Sequence, residues 1–153
     1  LTAATFLFIL YSVINGATLS LIFAVYTRTS IAQVFFITAG TFGVMSLYGY
    51  FTKKDLTSIG KLLLMALIGL IIATLVNVFL VKSSSFDLIL SYIGVLIFVG
   101  LTAWDTQKIK HMLAMQSDMG EGAQKVALLG ALSLYLDFIN LFLYLLRIFG
   151  NRN

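Results

Sequence analysis

The sequence has no cysteine and no proline, and only one histidine and one tryptophan in 153 residues. Without cysteine there is no disulfide framework, no thiol chemistry and no Cys-ligated metal. A single histidine, His111, leaves a zinc site without a ligand set. Without proline no proline kink is available, although glycine and Asn/Ser pairs can still interrupt a helix. Charge is scarce as well, at 10% of the residues, where a soluble domain has about 25%. What is abundant is apolar: 60% of the chain is hydrophobic, and the mean hydropathy is +1.02. This is the composition of an integral membrane protein. The net charge of +4 and pI near 9.4 do not point to nucleic acid. The basic residues sit in short connectors between apolar runs, where they set topology, and few polar elements exist to carry an RNA or DNA surface.

A bilayer-spanning helix needs about 20 apolar residues. Residues 1–27, 29–52, 62–81 and 88–104 carry no charge, and residues 126–146 carry one, Asp137. These runs predict an all-α membrane protein: a single helical domain over 1–153, with five transmembrane helices near 3–26, 30–51, 60–81, 87–111 and 125–149. The runs are too long and continuous for the ten-residue alternation of a β-barrel. The chain opens at Leu1, already apolar and without a basic leader, so a signal peptide is not expected and an incomplete N-terminus is. Tight connectors force the helices to alternate direction. Lys53, Lys54, Lys61, Lys108, Lys110 and Lys125 then share one side, expected to be cytoplasmic, with Arg28, Lys82, Arg147 and Arg152 on the other. Of the connectors, 111–125 is long enough to form a mobile loop.

The last helix has a polar stripe. Gly130, Ser133, Asp137, Asn140, Tyr144 and Arg147 recur every three or four residues, which is one face of an α-helix. Hydrocarbon offers these groups no hydrogen bonds, so the stripe is expected to face protein or water. Two milder stripes of small residues, Ala66, Gly69, Ala73 and Asn77, and Ala39, Gly40 and Gly43 with Thr38, Thr41 and Ser46, predict close helix packing.

Asp137 is the one charged side chain well inside a span. An acid at the bilayer centre costs about 2.5–3.5 kcal/mol on insertion scales, so its presence suggests a task, either tying helices together or sensing protons or a cation. Asp105 lies near a helix end. At 1.5 Å per residue it sits ~9 Å from the boundary near His111, and Asp137 ~15–18 Å from its own. The two helices are consecutive and antiparallel, and tilt can absorb the difference. Two carboxylates that meet in a low-dielectric site cannot both ionise cheaply, so they share a proton and titrate as a pair. Protonated, such a pair latches two helices. Deprotonated, it is a hard-oxygen ligand set suited to Ca²⁺.

The segments "ITAGTFGVMSLYGYFTKKDL" (37–56), "FVGLTAWDTQKIK" (98–110) and "SLYLDFINLFLYLLRIFG" (133–150) resemble the Bax inhibitor-1 family, in its bacterial inner-membrane branch, and the resemblance runs along the whole chain. It implies a seven-helix bundle with the last helix at its centre, of which this chain supplies helices three to seven. A basic residue in the family's second helix then falls outside the chain, and a Ser-Pro step common in relatives falls at Ser20-Leu21. It also implies that the family's paired aspartates are Asp105 and Asp137, acting as a pH-sensing latch associated with Ca²⁺ leak. The family is linked to suppression of cell death and, in bacterial relatives, to a membrane-bound protease.

Two functions therefore compete. One is a pH-sensitive Ca²⁺ leak channel of the inner membrane, with Asp105 and Asp137 as sensor and cation ligands. Asn140, Ser133, Tyr144, Thr102 and Asn15 are then pathway or supporting residues, with Thr18 and Ser20 extending the list. The other is a regulator that binds a membrane protease or another membrane protein, with structural aspartates. An enzyme is not expected, because no nucleophile–base set, metal cluster or Gly-x-Gly-Asp motif is present. No cofactor is expected, only Ca²⁺ as transported ion; the expected partners are lipid, protons and Ca²⁺.

Overall fold

The computed structural model describes residues 2–115 and 120–150. Regular structure among them is helical, with α1 at Thr2–Leu19, α2 at Ile22–Val25, α3 at Arg28–Phe51 and α4 at Thr57–Val76. A π-helical turn, Asn77–Val81, prolongs α4; α5 follows at Ser84–Ala114 and α6 at Glu121–Phe149. Four segments are long and apolar enough to cross a membrane: Arg28–Phe51, Thr57–Val81, Ser84–Ala114 and Gly122–Phe149. The chain is an all-α membrane bundle. Residues 116–119, in the connector expected to be mobile, lie outside the described residues.

The run expected as one helix over 3–26 is interrupted. Ser20 follows α1, and its hydroxyl donates to the Ala17 carbonyl at 2.6 Å. Such a short side chain competes with the backbone for its own helical partners. The chain re-forms one short turn, α2, and then becomes extended at Tyr26 (φ −112°, ψ 152°). Thr27 starts α3 by accepting from the Ser30 N–H at 3.2 Å, and Ser83 does the same for α5 from Phe86 at 3.2 Å.

Asn77 closes the far end of α4. Its backbone carbonyl accepts from Lys82 N–H at 2.6 Å, and its side-chain oxygen accepts from Ser83 N–H at 3.0 Å. Between these two bonds Lys82 takes a left-handed conformation, φ 53°. A buried amide thus reverses the chain where proline or glycine would be the usual means.

α5 and α6 share the middle of the bundle. α5 packs against α3, α4 and α6, and α6 packs against α1, α3 and α5. The core is Leu90, Ile97, Phe98, Leu101 and Trp104 from α5 with Leu141, Phe142, Leu145 and Leu146 from α6, joined by Val34 of α3 and Leu70 of α4. Phe35 and Phe42 of α3 meet Phe138 of α6 edge to face, at 5.6 and 5.3 Å between centroids.

Close approach is made at glycines, but not at those the small-residue stripes suggested. A Cβ on Gly49 would strike the backbone of Ala103, and one on Gly60 the Trp104 ring. Gly94 seats the Tyr144 ring and Gly130 seats Ile109. Gly40, Gly43 and Gly69, by contrast, have no neighbour within 4 Å of an added Cβ. The glycines of these stripes therefore meet no neighbouring helix among the described residues, although Thr38 and Asn77 of the same stripes are buried. The buried positions of α3 are Ser30, Val34, Thr38 and Gly49, and those of α4 are Gly60 and Leu70.

Candidate functional site

Buried hydroxyls in this bundle are mostly satisfied by their own helices. Thr38 donates to Val34 carbonyl and Thr102 to Phe98 carbonyl, each at 2.7 Å, and Ser91 to Asp87 carbonyl at 2.9 Å. Among the described residues two buried side-chain oxygens have no hydrogen-bond partner: Ser46 Oγ and Asp137 Oδ2. The second matters more. An unpartnered carboxyl oxygen in a low-dielectric interior is costly and calls for an explanation.

The polar stripe of α6 turns inward onto α5. Asp137 is 5% exposed and Asp105 8%, and their carboxyl groups are close enough to interact directly. Both line one cavity of about 380 Å³ between α4, α5 and α6. α6 also contributes Ser133, Asn140 and Tyr144, and α4 contributes Leu64, Leu67 and Ile71. Asn140 donates one amide N–H to the Leu136 carbonyl at 2.8 Å, which leaves its side-chain oxygen and a second N–H to offer. Tyr144 stacks on Phe98 at 5.9 Å.

Asp105, Asp137, Asn140, Ser133 and Tyr144 thus meet around one space. Thr102 does not join them; it is fully buried and turned to its own helix. The side chains of Asn15 and Thr18 lie outside the described residues. Ser20 sits at the α1–α2 break, exposed. Trp104 and Lys108 also line the cavity, though the sequence reading did not place them at the site. Both lie one turn or less from Asp105, and i, i+3 and i, i+4 spacing along α5 was the signal that could have found them. Lys108 Nζ stands 3.5 Å from Asp105 Oδ1 and 4.2 Å from the Trp104 ring centroid.

Behind this site α5 is tied to the α3–α4 connector. Gln107, 4% exposed, accepts from Leu56 N–H at 3.0 Å and donates to Lys54 carbonyl at 2.7 Å. Lys110 Nζ donates to Tyr50 carbonyl at 2.6 Å.

A family model described as "Inhibitor of apoptosis-promoting Bax1" matches residues 2–153. The chain belongs to the Bax inhibitor-1 family. It is 59% identical over 150 residues to inner membrane protein YbhL of Escherichia coli K12, covering 97% of this chain and 63% of that protein. It is 55% identical over 152 residues to protein RP147 of Rickettsia prowazekii, covering 99% and 64%. A Borreliella burgdorferi protein is 54% identical over 149 residues, covering 97% and 64%. The chain thus spans just under two thirds of the length of these Bax inhibitor-1 relatives. With its four long apolar spans, it is a multi-pass integral protein of the inner membrane.

Proposed function

We propose that this protein forms a pH-sensitive Ca²⁺ leak pathway in the inner membrane, with Asp105 and Asp137 as its proton-sharing cation site. The observation that carries the reading is the orphaned Asp137 Oδ2, buried beside a second carboxylate on the wall of a cavity. Protonated, the pair is a hydrogen-bonded latch between α5 and α6. Ionised, its charges repel and offer oxygen ligands to a hard cation. Among the described residues no cluster of three or more His, Cys, Asp or Glu exists. Two carboxylates with neutral oxygens from Asn140, Ser133 and Tyr144 make a weak site rather than a tight cage. Conduction needs that weakness, since an ion must leave as readily as it enters.

The test is Ca²⁺ influx into liposomes holding the complete protein, between pH 6 and pH 8. Flux is expected to change with pH, and Asp105→Asn or Asp137→Asn to remove that dependence. Flux no greater than in empty liposomes, or pH dependence that survives both substitutions, would refute the reading. One observation favours a membrane regulator instead: the small-residue faces at Gly40, Gly43 and Gly69 are open among the described residues, as a surface for another helix would be. That reading expects the two Asn variants to leave flux untouched and to change partner binding or stability.

A further inference from the structure

We propose that Lys108 is a tethered competitor for the Asp105–Asp137 cavity, whose ammonium an incoming divalent cation must displace. This rests on the cavity being a cation site. Trp104, Asp105 and Lys108 occupy one face of α5, and all three line the cavity. The ammonium stands 3.5 Å from Asp105 Oδ1 and 4.2 Å above the Trp104 ring. The ring is a fixed shelf, because Gly60 of α4 packs against it with no room for a Cβ.

Burial gives the order of the groups. The Lys108 side chain is 44% exposed and that of Asp105 11%, so the lysine stands between water and the acids. Its ion pair exceeds hydrogen-bond length, and a half-exposed pair of this kind is weakly held. The ammonium is therefore placed to neutralise the cavity without being locked there. Among the described residues no second fixed cation lines the cavity. α4 supplies only leucines and isoleucine. From α6 come Asp137 and Tyr144 with the neutral Ser133 and Asn140. Arg147 stands beyond Tyr144, at 5.5 Å from its ring, and faces Asp87. A divalent ion entering beside Lys108 meets a positive charge at close range, and one entering after Lys108 swings out meets no other among the described lining residues.

The test is Ca²⁺ titration calorimetry on the complete protein in nanodiscs at one fixed pH, for wild type, Lys108→Met, Lys108→Gln, Lys108→Arg and Asp137→Asn, with melting temperatures as a folding control. Both uncharged Lys108 variants are expected to bind Ca²⁺ about tenfold more tightly than wild type, equivalent to about 1.4 kcal/mol. Lys108→Arg is expected to bind like wild type. Asp137→Asn is expected to lose binding. Calcium binding seen only once Lys108 is neutralised also supports the competition. If both uncharged variants bind like wild type or more weakly while Asp137→Asn still abolishes binding, Lys108 does not compete and the cation site stands. If no variant shows binding that depends on Asp137, the cation site fails and the inference with it.

Discussion

α5 and α6 meet at two charged stations, one toward each end of their seam. At one, Arg147 Nη1 lies 3.6 Å from Asp87 Oδ1, with side chains 39% and 35% exposed. At the other, Asp105 and Asp137 face each other with 8% and 5% exposure. The first station joins opposite charges in the presence of water, so its strength is modest. The second sets two carboxyl groups side by side away from water, with Lys108 3.5 Å from one of them, and two buried acids this close do not both ionise cheaply. One helix pair thus carries a strap at one end and, in the proposed reading, a switch at the other. What separates the two is burial and the presence of a second carboxyl group, both set by where the polar stripe of α6 falls along α5.

The sharpest way to break this contrast is to move α5 itself. Gly49→Ala places a methyl group against the Ala103 backbone, where no side chain can give way. A loss of about 1–3 kcal/mol is expected from overpacking of this kind, measured as a lower unfolding midpoint in detergent. Asp137→Asn comes next: pH dependence of flux is expected to vanish, while the melting temperature stays level or rises because a buried acid with one unpartnered oxygen gives way to a neutral amide. A marked loss of stability would mean that the pair is a structural tie, like its counterpart. Asp87→Asn is expected to cost about 0–1 kcal/mol, less at high salt, with pH-dependent flux unchanged; a changed pH profile would erase the distinction between the two stations.

The smallest effect belongs to an acid outside the membrane. Asp55 accepts from the Thr57 hydroxyl at 2.7 Å and from its N–H at 3.0 Å. The Thr57 side-chain bond first, and the backbone bond second, hold the carboxyl below its ordinary value of 3.8. An acid so lowered stabilises the fold fully above its ordinary value and loses that effect as pH falls through the lowered one. Wild type should therefore unfold slightly later than Asp55→Ala at neutral pH, and the two melting curves should converge in strong acid.

The four long spans and the inward polar stripe were legible in the sequence because charge-free length and three-to-four spacing are one-dimensional signals. Whether Asp105 and Asp137 meet was left open by the sequence: consecutive antiparallel helices allow it, but the tilt and rotation that decide it are not one-dimensional signals. The break at Ser20-Leu21 was not legible, because it turns on a local contest for backbone carbonyls inside an otherwise uniform apolar run. Nor were the working glycines. Gly49 and Gly60 stand close to charged connectors and look like helix ends, whereas Gly40, Gly43 and Gly69 have the spacing of a packing motif. Which glycine meets a neighbour depends on helix rotation, and the nearly all-round apolar α3 and α4 encode little of it. Trp104 and Lys108 were hidden differently: read singly, they are a core aromatic and a topology charge, and their shared cavity exists only once α4 and α6 are in place.

Gln107 holds the α3–α4 connector at two adjacent points, two residues along α5 from Asp105. The connector lies outside the apolar spans and carries the exposed Lys53. A dye on Lys53 is therefore a pointer clamped to the shaft that bears Asp105. Rotation or sliding of the acid within the bilayer would be read from the water by an optical label that never enters the site.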